Sequence, residues 1–455
     1  MILSHNDDPT LHDGFDNKDF IKEVCLLIKK CRPPKGIGLN GYWGTGKTSA
    51  LLQVYFQLSG KSPYNNDIDT NSFSAEYVDE SIIPIWFEAW RYQYEGQPIV
   101  ALLNEIRHQM GMFQKFTDST KKIAGVTILG ALSVFDEVIK VASGGLLKHQ
   151  IDKVQTIGDT WEKERYQQHL PGQTINKLLQ EAINSILPEK DNPKLAIFID
   201  DLDRCEPESA LRLMEGIKVY LNLDNCVVIF GLDQRQIERA LIKALGLNNH
   251  ENDEHYAREY LEKICQDIIH LPLAGKKKKS DYFSGLLKEV VGEPKHQFCV
   301  EQIIKVTSMY DCLPANPRKI KALSNRIASM FRQQLSLEWE NGPTFSSLGE
   351  EQDETSNLDK NAAICLIVAI LYCFHRAVYE QLQKSPEYIS TVVEYASSQD
   401  LNNEDYLPMR GIKPSMSVDK ELPVNPSDSN VFRLHQLLID LRTIGSEEIL
   451  LFTNL

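Results

Sequence analysis

Apolar residues along this chain follow two rhythms that take turns. Short unbroken runs occur at residues 36–39, 82–87, 195–199 and 226–230, the last three rich in branched side chains. Between them, apolar residues recur at helical spacing: Phe20, Ile21, Val24, Leu27 and Ile28; Ile99, Leu102, Leu103, Ile106 and Met110; Ile175, Leu178, Leu179 and Ile183; Leu211, Met214, Ile217 and Leu221. An unbroken run fits a strand covered on both faces, and the i, i+3, i+4 pattern fits a helix with one buried face. Pro33 and Pro34 close the first helix, whereas Pro98 and Pro207 stand where a first helical turn tolerates proline. Strands alternating with helices predict an α/β fold built on a doubly wound, mostly parallel sheet.

The rhythm breaks in three places. Residues 113–165 contain Gly125, Gly130 and Gly144-Gly145 and read as a helical insertion. From about residue 276 helical patterns dominate, and residues 345–357 form an acidic, polar stretch suited to a linker. The predicted layout is a core over 1–275, a helical segment over 276–342, a linker over 343–360 and a C-terminal helical region over 361–455. Residues 1–17 are polar and read as a loosely tied arm. Lys276-Lys277-Lys278-Lys279 reads as a solvated loop, with a phosphate-backbone or anionic-lipid contact as the sharper alternative.

Composition narrows the class. The chain has 455 residues, 42% of them hydrophobic and 25% charged, as in ordinary soluble proteins. A net charge of −14 argues against a general polyanion binder. None of the nine cysteines forms a C-x-x-C pair, which fits free thiols in a reducing compartment. The N-terminus lacks a signal-peptide pattern, and the apolar runs at 123–135 and 362–374 fall short of the roughly 18–20 residues that span a bilayer. A cytoplasmic protein with no membrane segment is expected.

The clearest chemical signal is Gly41-Tyr42-Trp43-Gly44-Thr45-Gly46-Lys47-Thr48-Ser49, lying between a predicted strand and a predicted helix. This is the G-x-x-x-x-G-K-[ST] phosphate loop in the setting the motif requires. Gly41, Gly44 and Gly46 let backbone N–H groups turn toward a phosphate, and the following helix adds its positive end. Lys47 is expected at the β/γ-phosphates and the Thr48 hydroxyl on Mg²⁺. Trp43, Thr45 and Ser49 complete the nucleotide-binding candidates. Trp43 and Trp90 are open between base contact and core anchor, with Trp90 read as core.

The second signal is the strand over 194–199 that ends at Asp200-Asp201-Leu202-Asp203-Arg204, a Walker B arrangement. It brings Asp200 to the carboxyl edge of the sheet, where open α/β sheets bind ligands. Asp200 is expected to hold Mg²⁺ and Asp201 to orient the attacking water. Asp203 and Arg204 are open between function and helix capping with surface pairing. Asp233 ends the next strand, placed either to contact the γ-phosphate or to cap the helix from Gln234.

Taken together, these motifs resemble the KAP family of P-loop NTPases over roughly residues 15–335. The resemblance is carried by the phosphate loop, Trp86-Phe87-Glu88-Ala89-Trp90, residues 198–207, Glu259-Tyr260-Leu261-Glu262-Lys263-Ile264, Leu271-Pro272 and Asn316-Pro317-Arg318-Lys319-Ile320-Lys321. It implies an additional-strand ATPase core followed by a helical lid over 276–342, with ATP and Mg²⁺ as ligands. Lys47, Asp201 and Arg318 are then the catalytic candidates, Arg318 being similar to a lid arginine that reaches the γ-phosphate. Arg258 and Lys263 are further candidates, acting within the chain or across to a neighbouring copy. Many family members carry two membrane helices between the Walker motifs; Asp136, Glu137, Lys140 and Gly144-Gly145 break up that region here, so no membrane anchor is expected. Bacterial members are often implicated in phage defence, which implies an antiviral role by analogy.

The expectation is an ATPase that switches assembly or signalling as a homo-oligomer, with the C-terminal region meeting protein partners. A nucleic-acid motor or loader using the lysine run is the rival, weakened by the net charge. A scaffold that binds nucleotide without hydrolysing it is the third reading. No N-K-x-D or T-K-x-D guanine signature follows the strand that ends at Asp233, which favours ATP.

Overall fold

The computed structural model describes residues 4–64, 72–95, 98–117, 171–246, 251–292, 296–333, 344–345, 358–397 and 434–441, with isolated positions as far as 452. Five parallel strands form one sheet: β1 (Lys35–Asn40), β2 (Ile82–Glu88), β3 (Lys194–Asp200), β4 (Cys226–Leu232) and β5 (Asp267–His270), ordered β2-β3-β4-β1-β5. β4 separates the phosphate-loop strand β1 from the acidic strand β3, so the core is of the additional-strand type the resemblance implies.

Alternate residues of each strand feed two cores. Trp86, Ala196, Phe198, Val227 and Ile229 pack under α1 (Lys18–Lys30) and α2 (Lys47–Ser59). Ile85, Phe87, Ile197, Ile199 and Val228 pack under α3 (Pro98–Thr117), α4 (Pro171–Ile186), α5 (Pro207–Tyr220), α6 (Gln234–Ala244) and α7 (Glu251–Ile264). The four predicted strands and their helices are present. β5 is not foreshadowed: four residues between Gln266 and Leu271 give too short a run to register. Lys194 opens β3 from inside the protein, its Nζ donating to the carbonyls of Ile28, Lys29 and Cys31 and so capping the end of α1.

Beyond the sheet come α8 (Lys276–Val290), α9 (Gln297–Met309) and α10 (Pro317–Arg332). β6 (Thr344–Phe345) pairs antiparallel with β7 (Leu358–Asp359), bracketing the acidic linker. α11 (Lys360–Phe374), α12 (Arg376–Lys384), α13 (Tyr388–Ser397) and α14 (Leu434–Leu441) follow. Phe283, Ile303, Leu323 and Ile327 of the lid share one apolar core with Leu366, Ile370 and Leu437 of the C-terminal helices. Among the described helices none alone is long and apolar enough to cross a membrane; α11 and α12 reach that length only as a pair bent by 119°.

Three sequence readings need correction. The lysine run is the first turn of α8, not a loop, and three of its members are tied into the protein. Lys276 Nζ donates to the Met309 carbonyl at 2.9 Å, Lys278 Nζ to the Asp16 carbonyl at 2.8 Å, and buried Lys279 to the Leu313 carbonyl while pairing with Asp311. Trp90 is 49% exposed, because it belongs to the short 3₁₀ turn after β2 and not to a strand. The N-terminal arm is fastened, as described below. Of the predicted insertion over 113–165, residues 113–117 belong to the end of α3 and the rest lies outside the described residues. All nine cysteines are free and none is fully exposed.

Candidate nucleotide site

The carboxyl edge of the sheet is knitted together around Asn40. Its Oδ1 accepts from the Gln234 N–H at 2.9 Å and its Nδ2 meets His270 Nδ1 at 3.0 Å. The Gly41 N–H then donates to the Leu232 carbonyl at 3.0 Å, fixing where the loop leaves the sheet. Gly44 and Gly46 have φ of +80° and +96°, a region glycine enters without steric cost. A Cβ on Gly44 would also stand 2.7 Å from Asn316 Oδ1. These turns curl the loop so that α2 starts at Lys47 with its N-terminal N–H groups directed outward from the sheet edge.

A cavity of about 640 Å³ opens over this edge. Its walls are the loop from Trp43 to Ser49, the strand ends Glu88 and Asp200, the adjoining Asp201 and Asp203, the N-terminal arm, and lid residues that include Arg318. Gly41 lies beneath the loop and outside the wall. Asp233 is buried outside the wall, near Lys47 and Asp203.

Charge in the cleft is arranged in pairs. Lys47 Nζ lies 3.1 Å from Asp203 Oδ2, both side chains almost fully buried. Asp201, at φ +58°, takes Arg204 Nε at 2.8 Å on Oδ1. Asp200 is only 2% exposed and accepts the Thr48 hydroxyl. Burial, then the neighbouring Asp201 charge, push the Asp200 carboxyl up to about 7. Burial raises Asp201 and Asp233 as well.

Thr48 and Asp200, two oxygen donors already in contact, fit Mg²⁺, which takes a few protein oxygens and completes its shell with phosphate and water. Among the described residues no three or more acidic, His or Cys side chains form a ready-made metal cage.

The arm crosses the mouth of the cleft. His5 exchanges two hydrogen bonds with Asn325 at 2.8 and 3.0 Å, and Lys321 Nζ donates to the Asn6 carbonyl at 2.9 Å. Asp7 pairs with Arg318, and the Thr10 N–H donates to Ser49 Oγ at 3.2 Å. The segment expected to be loose is thus a strap from α10 across α2 into α1. Ser49 serves the strap, Arg318 stands at the cleft, and the Arg318 guanidinium lies 5.7 Å from the ring centre of Trp43, which is 63% exposed. Arg258 pairs with Glu238 at 3.4 Å, and neither it nor Lys263 lines the cleft.

Sequence reasoning left Asp203 open, and its partner is now Lys47. It assigned no role to Glu88 or Asn316, although both stand in stretches that carry the resemblance, or to Tyr64 and Asp7, which carry no local mark.

Comparison with known proteins places the geometry in a family setting. The model of the KAP family P-loop domain matches residues 17–333. A similar protein is the Phage T7 exclusion protein of Escherichia coli (strain K12), 21% identical over 322 residues. That match takes in 65% of this chain and 38% of the relative, so the chain spans well under half of that protein's length.

Proposed function

Because this chain belongs to the KAP family of P-loop NTPases, we propose that it binds ATP with Mg²⁺ and hydrolyses it slowly, as a switch for self-assembly or signalling in defence against phage. The observation that carries this reading is convergence: Lys47, Thr48, Asp200, Asp201 and Arg318 line one cleft between sheet edge and lid. The triphosphate lies against the N–H groups opening α2, and Lys47 exchanges Asp203 for phosphate oxygens. Thr48 and Asp200 hold Mg²⁺, which neutralises charge on those oxygens. Asp201 orients the water, and Arg318 leaves Asp7 for the γ-phosphate, where its charge is stabilising in the transition state. The antiviral part rests on the name of the relative alone.

The test is the size of the purified protein with and without ATP and Mg²⁺, together with turnover, beside Lys47→Ala. A nucleotide-dependent change in size and turnover that both vanish in the variant are expected. Unchanged size without turnover overturns the switch. Turnover also separates this reading from the non-hydrolysing scaffold. The nucleic-acid motor has less support, since three of the four lysines of the run are held by the protein itself.

A further inference from the structure

Glu88 ends β2 in register with Asp200 of β3, which sets the two backbones roughly 4.8 Å apart at the sheet edge. Its side chain is 17% exposed and lines the same cleft as Lys47 and Thr48. The Tyr64 hydroxyl donates to it, and the Tyr64 ring is held edge-on against Trp86 at 5.8 Å. Burial, then the Glu88 charge, raise the Tyr64 phenol, so it stays protonated as a donor.

The three acids at the end of β3 are committed. Asp203 is paired with Lys47, Asp201 with Arg204, and Asp200 receives the Thr48 hydroxyl. Glu88 pairs with Arg91, but that side chain is 68% exposed. A pair so open to water contributes little and is readily surrendered. Glu88 is also the only one of these four with an extra methylene, and so the longest reach from the sheet edge toward the cleft.

We infer that Glu88 is the proton acceptor for the attacking water in the hydrolysis proposed above, with Tyr64 as its positioning residue; the inference rests on that reading. The water oxygen bonds to the γ-phosphorus as the bond from that phosphorus to the β,γ-bridging oxygen breaks. The electron pair leaves on the nucleoside diphosphate. The water's proton passes to a Glu88 carboxylate oxygen and from there to solvent as inorganic phosphate departs. Asp201 keeps its orienting role, held by Arg204.

Glu88→Gln tests this in the full chain, because glutamine still accepts the Tyr64 hydrogen bond and cannot take the proton. Calorimetry with ATP–Mg²⁺ is expected to give an affinity within about threefold of wild type, while kcat falls about 100-fold or more, the range of general-base loss. Tyr64→Phe is expected to lower kcat about 10-fold with KM unchanged, as for a residue that only positions. Should Glu88→Gln fail to fold, Glu88→Asp keeps the charge at shorter reach, with kcat expected about 10-fold down and binding intact. Wild-type turnover that Glu88→Gln leaves at full rate overturns this inference alone. A kcat loss matched by an equal loss of affinity or melting temperature overturns it too, by making Glu88 structural. No turnover in the wild-type chain overturns the ATPase reading and this inference with it.

Discussion

Asn316 holds the lid to the phosphate loop: its Nδ2 donates to the Trp43 carbonyl at 2.9 Å, while its Oδ1 caps α10 by accepting from the Lys319 N–H at 3.1 Å. One side chain thus sets where the lid helix begins and where it docks. Gly44 makes the approach possible, having no Cβ where the amide sits.

Gly44→Ala combines a strained φ with that clash. ATP affinity is expected to fall at least about 10-fold, with a lower melting temperature. Asn316→Ala is expected to cost about 1 kcal/mol for the lost cap. Thermal denaturation and nucleotide titration check both, and unaltered values in Gly44→Ala would contradict the contact.

Asp203→Asn leaves the Lys47 ammonium buried beside an uncharged partner. A loss of roughly 3 kcal/mol is expected without nucleotide, as when one member of a buried ion pair is removed. ATP supplies the missing charge, so the nucleotide-induced rise in melting temperature is expected to exceed that of wild type. Equal rises in the two proteins would show that Lys47 does not exchange partners.

Asp200 makes stability depend on pH. Its carboxyl ionises near 3.8 in the unfolded chain and near about 7 in the fold, so the unfolded state sheds its proton first as pH rises. The resulting penalty grows across that window and is constant above it. Asp200→Asn is therefore expected to raise the melting temperature by about 2 °C or more at pH 8 and hardly at all near pH 4. Calorimetry in buffers of different ionisation heat is expected to show proton release when ATP–Mg²⁺ binds wild type below pH 7, and none in the variant. A variant that melts like wild type at both pH values would contradict the assignment.

Lys279→Ala removes the partner of Asp311 from the lid interior, with an expected cost of about 3 kcal/mol. Lys277→Ala, by contrast, is expected to stay within about 0.5 kcal/mol, the usual range for an exposed site. Neither variant is expected to change turnover in response to DNA, because wild type is expected to show no response. DNA stimulation lost in Lys277→Ala would restore the motor reading.

The phosphate loop, Asp200 and the four long strands were legible because each is a local pattern: glycines at fixed offsets, or an apolar run ending in acid. What escaped depends on tertiary contact. Lys279 looks solvated in a run of lysines and is buried only because Asp311 and the Leu313 carbonyl await it. Residues 5–10 have no periodicity, yet α10 and α2 give their backbone groups partners. Trp90 looks like core by composition and is exposed because the chain turns after Glu88. Asp203 and Glu88 sit beside recognised motifs, but only the folded cleft distinguishes an acid bound to Lys47 from one held by a tyrosine.

The start of α10 meets the phosphate loop, and its flank is buried with α11 in the core that the lid shares with the C-terminal helices. Cleft and C-terminal region are therefore two handles on one lever. A molecule that grips the C-terminal helices and changes nucleotide affinity by shifting α10 has its own affinity changed by nucleotide by the same factor.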